Sequence, residues 1–288
     1  MKRILAIIGI CTIISCKNEK KTDHSVDNEP IDNVEEGTPT IEPVTSTESV
    51  ASVEDLFVKT IEKAHQKETF LNKKAVSFNI KISFGGKERF NGTVLQLTNS
   101  SKIILTESNG DQVLFDGKEV YLSPEDAKDK GARFNIFTWS YFFALPYKLN
   151  DPGTKWAMEQ DRTLYKDDVE YATAKLTFGE GVGDAPDDWY LVYRDPASQL
   201  IKAAVYIVTF GSKGDIAKAE ADPHAIVYDN YEMVENIPIA TSWKFYEWSE
   251  DKGLGKELGE ATLSNIKFLQ ANPGTFVIPD NAKKVSMP

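Results

Sequence analysis

The stretch "VSFNIKISF", residues 76–84, decides the fold. Val76, Phe78, Ile80, Ile82 and Phe84 alternate with Ser77, Asn79, Lys81 and Ser83. Successive side chains of a strand point to opposite faces, so this pattern makes a strand with one dry face and one wet face. Gly85-Gly86 follows and can supply the positive φ angles of a tight hairpin turn, and residues 89–98 bring the chain back. Residues 102–108, 111–115 and 119–122 read as further strands, joined by Asn109-Gly110 and Asp116-Gly117. Short connections of this kind build an antiparallel meander.

Later strand-like runs cover residues 164–166, 170–178, 189–194, 201–210, 225–231, 241–248 and 261–268. The breakers are residues 179–183, Asp195-Pro196 and Asn272-Pro273-Gly274. Strands do not alternate with helices, which disfavours a parallel α/β sheet. Nor does any fixed period recur, so a propeller is not supported. The expected class is mainly β (α+β): a large curved antiparallel sheet or open half-barrel, with helices covering the concave face.

Two segments supply those helices. Ser52 followed three residues later by Asp55 is a capping signature. Val53, Leu56, Phe57, Ile61 and Ala64 then recur at helical spacing, which predicts a helix over residues 53–67. Residues 134–146, "FNIFTWSYFFALP", are apolar nearly all round. They predict one or two short helices ending before Pro146 and buried on most sides.

The beginning of the chain is of another kind. Met1-Lys2-Arg3 is basic, and residues 4–14 are almost uninterruptedly apolar, about the length of a signal-peptide core. Ile13-Ile14-Ser15-Cys16 resembles the lipobox of bacterial lipoproteins, in which a small residue precedes the acceptor cysteine. Ser15 meets that need, whereas Ile10 before Cys11 does not. The resemblance implies a signal peptide over 1–15, cleavage before Cys16 and lipid on Cys16. Residues 17–50 hold nine acidic side chains, three lysines and no aromatic residue. Such a segment cannot bury enough apolar surface to offset chain entropy, so residues 16–50 read as a lipidated cysteine and disordered acidic tether. Residues 51–288 read as a single β-rich domain.

The body resembles the LolA/LolB class of lipoprotein carriers. It shares the order of amphipathic helix, strand meander, apolar helical insert and further hairpins. The most suggestive stretch is "DWYLVYRDPASQLIK", residues 188–202. The chain also resembles a poorly characterised family of lipid-anchored proteins classed as a domain of unknown function, through Asp151-Pro152-Gly153 and Phe178-Gly179-Glu180-Gly181. The first resemblance implies an apolar cavity for an acyl chain or another hydrophobic guest. Trp139, Phe142, Phe143, Trp189 and Tyr193 are the candidates for its lining, and the same five residues would equally suit an ordinary core.

Composition narrows the function classes. A net charge of −11 disfavours a nucleic-acid partner, which needs basic side chains against its phosphates. Without a cysteine after Cys16, neither a disulfide framework nor a cysteine zinc site can form. The sequence lacks a His-x-x-x-His pair, a Gly-x-Ser-x-Gly elbow and a phosphate-cradling glycine loop. His65 reads as a surface or helix-end residue, and His224 as part of a turn beside Asp222. Asp187-Asp188, Asp167-Asp168 and Glu250-Asp251 read as solvated turn acids, and Glu125, Asp126 and Asp129 lack EF-hand spacing.

No metal, cofactor or catalytic residue is therefore expected. The leading expectation is a lipid-anchored cell-envelope protein, in the outer membrane, that binds a hydrophobic ligand or lipoprotein acyl chain without catalysis. Its membrane partner would be reached through Cys16. The alternatives are an envelope assembly factor acting through protein contacts and a carboxylate-based hydrolase.

Overall fold

The computed structural model describes residues 51–287 except 128–130, 166–168, 213, 214 and 273. The expectations for residues 1–50, among them the signal peptide, Cys16 and the tether, lie outside the described residues. So do those placed on Asp129, Asp167 and Asp168.

Among the described residues, fourteen strands make one sheet system. They are β1 (Ala75–Phe84), β2 (Lys87–Leu97), β3 (Ile103–Glu107), β4 (Gln112–Phe115), β5 (Val120–Ser123), β6 (Thr154–Met158), β7 (Arg162–Thr163), β8 (Glu170–Phe178), β9 (Tyr190–Arg194), β10 (Ile201–Tyr206), β11 (His224–Val234), β12 (Ile237–Ser249), β13 (Gly253–Leu269) and β14 (Lys283–Val285). Their order is β14-β5-β4-β3-β2-β1-β13-β12-β11-β10-β9-β8-β6, with β7 paired to β8 at the side. Each neighbour is antiparallel to the next. β14 and β6 are the two ends of this order, so the sheet is open. The expected class is thus the one observed.

The alternation in β1 is realised in space. Val76, Phe78, Ile80 and Ile82 are buried, while Asn79 and Lys81 are exposed. Two glycines allow close strand approach, Gly92 between β2 and β3 and Gly259 between β13 and the end of β1. A Cβ on Gly92 would lie 2.1 Å from the Thr106 carbonyl oxygen, and one on Gly259 would lie 2.2 Å from that of Ser83. Register shifts in the β1–β2, β1–β13 and β12–β13 ladders mark bulges, which add local twist.

The helices pack on the face that β1 buries. α1 (Val53–Ala64) begins in the expected capping box: the Asp55 N–H donates to Ser52 Oγ at 3.1 Å, and the Ser52 N–H donates to the Asp55 carboxylate at 3.4 Å. Its buried stripe is Phe57, Val58 and Ile61, whereas Val53 and Leu56 face solvent. The helix is shorter than expected. Gln66 adopts φ 56°, a left-handed break, and a second helix α2 (Lys67–Asn72) starts from it.

α3 (Ala132–Ala144) is the expected apolar helix, and Pro146 sits in a short 3-10 turn, Leu145–Tyr147, beyond it. The Tyr228 hydroxyl donates to the Phe142 carbonyl at 2.9 Å, meeting an acceptor that the ending helix leaves free. β6, β7, β14 and a short helix α4 (Ile216–Glu220) were not expected. β7 and β14 have only two and three residues, and α4 only five, too few to show a period.

Candidate functional site

The sheet carries apolar side chains on both faces. On the helix side one large cluster joins Phe57 and Ile61 of α1, Phe70 of α2, Ile136 and Trp139 of α3 and the inward residues of the strands. On the outer side a second cluster gathers Leu164, Tyr171, Leu191, Tyr193, Val205 and Trp248. A third places Phe276 over Ile104 and Leu114. The outer residues of β1 between them are polar, with Asn79 and Lys81 exposed and Ser77 and Ser83 half-buried.

A cavity of about 700 Å³ lies against α3 on the helix side. α3 contributes Phe137, Tyr141 and Phe142, and β8, β9 and β10 contribute Phe178, Tyr190 and Tyr206. Apart from Phe137, which packs on Phe115, these rings touch in series. Tyr141 and Tyr190 have centroids 5.3 Å apart, Phe178 and Tyr190 6.0 Å, and Phe142 and Tyr206 5.0 Å. Burial raises the pKa of Tyr141, Tyr190 and Tyr206, so these phenols stay neutral. These rings suit an apolar guest, and the charged lining residues sit at the edge of the aromatic wall.

Polar groups edge the cavity. Arg133, at the start of α3, donates from Nε and Nη2 to the Asp184 carboxylate, both at 2.8 Å. That fork ties the loop after β8 to the helix. The loop is braced from below as well: the Gly179 N–H donates to the Gly153 carbonyl at 2.8 Å. Gly153 has φ +91°, and a Cβ there would fall 2.6 Å from Val182 Cγ2. The two turn motifs quoted for the family resemblance thus meet at one end of the cavity, where Asp151, Pro152, Gly181 and Val182 all line it.

Asp188 is half-buried in the same wall. Its Oδ1 accepts from both the N–H and the hydroxyl of Thr209, each at 2.7 Å. Burial raises its pKa against the opposing effect of those hydrogen bonds. The expectation of a solvated turn acid is therefore corrected for Asp188, because the chain folds residues 207–210 back over it.

Of the five expected lining residues only Phe142 lines this cavity. Trp139 packs into the helix-side core beside Phe134 and Phe245, with centroids 6.0 and 6.3 Å away. Phe143 stacks on Phe78 at 4.2 Å. Trp189 and Tyr193 lie on the opposite face. The Trp189 ring carries the Lys175 ammonium 4.4 Å from its centroid, and Tyr193 is in the outer cluster beside Tyr171. The reason is the two-residue period: Tyr190 and Val192 turn inward, which sends Trp189, Leu191 and Tyr193 outward. Burial pushes the Tyr193 hydroxyl up to about 12.

His65 is not a surface residue. It ends α1 but is 1% exposed, and its Nε2 accepts the Ile201 N–H at 3.0 Å. Burial lowers its pKa to about 3. His224 opens β11, half-buried and stacked on Tyr206 at 6.0 Å. Among the described residues no three His, Cys, Asp or Glu side chains group closely enough to hold a metal ion. No described helix is long and apolar enough to cross a membrane.

A family model described as "Family of unknown function (DUF6503)" matches residues 108–258, just over half of the chain. The chain belongs to the DUF6503 family. The matched region includes both turn motifs, α3 and Asp188. No curated protein matches the DUF6503 chain in sequence. Among solved structures it is similar to the LolA superfamily protein NE2245 from Nitrosomonas europaea, at 12% identity and TM-score 0.51, over 79% of this chain and 99% of that one. That likeness gives a LolA-like fold. A DUF1329 family protein from Desulfovibrio piger matches at 11% identity and TM-score 0.43, over 76% of this chain and 94% of that one. A putative outer membrane lipoprotein-sorting protein domain from Vibrio parahaemolyticus matches at 9% identity and TM-score 0.40, over 75% and 95%.

Proposed function

We propose that this protein is a lipid-anchored component of the bacterial cell envelope that holds a hydrophobic ligand, such as an acyl chain, between α3 and the sheet. The observation that carries the reading is the aromatic cavity of about 700 Å³, a volume in the usual range for small-ligand sites. Its neutral phenol and phenyl walls reward desolvation of an apolar chain rather than a charged one. The LolA-like fold supports a binding role without catalysis. Anchoring follows from the lipobox resemblance: Cys16 would carry the lipid, the acidic tether would hold the body clear of the bilayer, and the outer membrane would be the resident membrane.

Two measurements test this. Native mass spectrometry of protein purified without detergent should show a bound hydrophobic species, or uptake of an added fatty-acid ester. A protein that remains empty under both conditions sinks the binding role. Separately, Cys16→Ala should release the protein from membranes and abolish acyl labelling, while Cys11→Ala changes neither. Membrane retention of the Cys16 variant would remove the anchor from the proposal.

A further inference from the structure

The aromatic cavity contains one polar spot that a plain hydrocarbon chain would leave unused. Tyr141 lines the cavity, and its hydroxyl is buried with no hydrogen-bond partner among the described residues. Leaving such a group unpaired costs about 1–3 kcal/mol, so native structures usually satisfy it. Asp188 lines the same cavity two residues before Tyr190, whose ring centroid lies 5.3 Å from that of Tyr141. Asp151 also lines it, but its carboxylate is taken by the Lys148 ammonium. Thr209 occupies Asp188 Oδ1 with two donors, and Oδ2 bears no hydrogen bond among the described residues. The spot therefore offers one unused donor, the phenol, and one unused acceptor, the carboxylate oxygen. Tyr190 and Phe178 surround it with apolar surface.

We infer that the ligand is an amphiphile bearing a hydroxyl on an otherwise apolar chain, with that hydroxyl accepting from Tyr141 and donating to Asp188. A hydroxyl can do both at once, whereas an ether or ester oxygen only accepts and an ammonium only donates. In mostly apolar pockets a few placed polar groups set orientation and specificity. Here they would fix how far the chain slides along α3. The inference rests on the cavity reading above and adds a ligand class to it.

The test uses the full-length chain carrying Cys16→Ala, purified without detergent, and calorimetric titration with methyl decanoate and methyl 3-hydroxydecanoate. The hydroxylated ester should bind about tenfold more tightly, the worth of roughly one net hydrogen bond. Tyr141→Phe deletes only the oxygen and should bring the ratio of the two affinities to about one. It should also raise the melting temperature of the unliganded protein, because the orphaned hydroxyl is gone. Equal affinity of the two esters for the unmodified cavity overturns the inference and leaves the cavity reading standing. A preference that survives Tyr141→Phe also overturns it. Binding of neither ester overturns the cavity reading itself.

Discussion

The two faces of the sheet are built from the same strands but do different work. The helix-side face is a continuous apolar cluster under α1, α2 and α3, with the aromatic cavity of about 700 Å³ against α3. The outer face has two separate apolar patches with polar residues of β1 between them. β9 shows the contrast within five residues: Tyr190 looks into the cavity and Tyr193 into the outer patch. A residue's face, more than its type, decides whether it can meet a ligand.

The largest expected effect comes from breaking this contrast on β1. Phe78→Ala removes a ring that stacks on Phe143 and should cost about 3–5 kcal/mol in urea unfolding. Asn79→Ala, next along the strand but exposed on the outer face, should stay within about 0.5 kcal/mol. Similar losses for the two would mean that the faces are not distinct.

The second effect concerns pH. His65 ties the helix layer to β10 and stays neutral because burial lowers its pKa from 6.5 to about 3. Below pH 6.5 the unfolded chain takes up a proton that the folded chain refuses. Stability is therefore full above pH 6.5 and falls as pH drops toward 3, by about 2 kcal/mol at pH 5. His65→Gln should flatten that part of the stability–pH curve, and an unchanged slope would assign it elsewhere. The outer-face pair Lys244–Glu257 is exposed, and such pairs contribute about 0–1 kcal/mol, so its removal should leave the slope in place.

A third experiment sharpens the comparison at the ligand. Val208→Trp places an indole in the cavity and should weaken uptake of an alkyl ester about tenfold, equivalent to about 1.4 kcal/mol. Tyr193→Phe, on the other face, should leave uptake as it was. The smallest effect is at the entry to α1: Ser52→Ala removes a cap on an exposed helix start and should lower stability by about 1 kcal/mol without changing uptake.

The sequence made the sheet legible wherever one face was wet. β1 alternates cleanly because its outer face meets solvent. β9 could not be read that way. Residues 189–193 are apolar or aromatic throughout, since the outer cluster covers the second face as well, and nothing in "WYLVY" marks which side looks inward. The break between α1 and α2 was also hidden, because a left-handed Gln66 leaves no local signal and the buried His65 is held by a distant N–H from β10. Asp188 looked like a turn acid because its partner Thr209 lies beyond the next hairpin. A single signal was available for the cavity rim: two glycine turns in different parts of the chain, which the fold brings together.

The seam between β1 and β13 has a consequence for how the chain must be made. Ala75 pairs with Leu269 and Phe84 with Gly259, so the middle of the sheet joins the two ends of the described body. Until β13 has been synthesised, β1 has a bare edge along its whole length. Contacts of such long sequence separation form slowly, and an exposed edge of this kind invites pairing with other chains. A chain stopped short of residue 259 would therefore be a hazard to its neighbours rather than a smaller working protein.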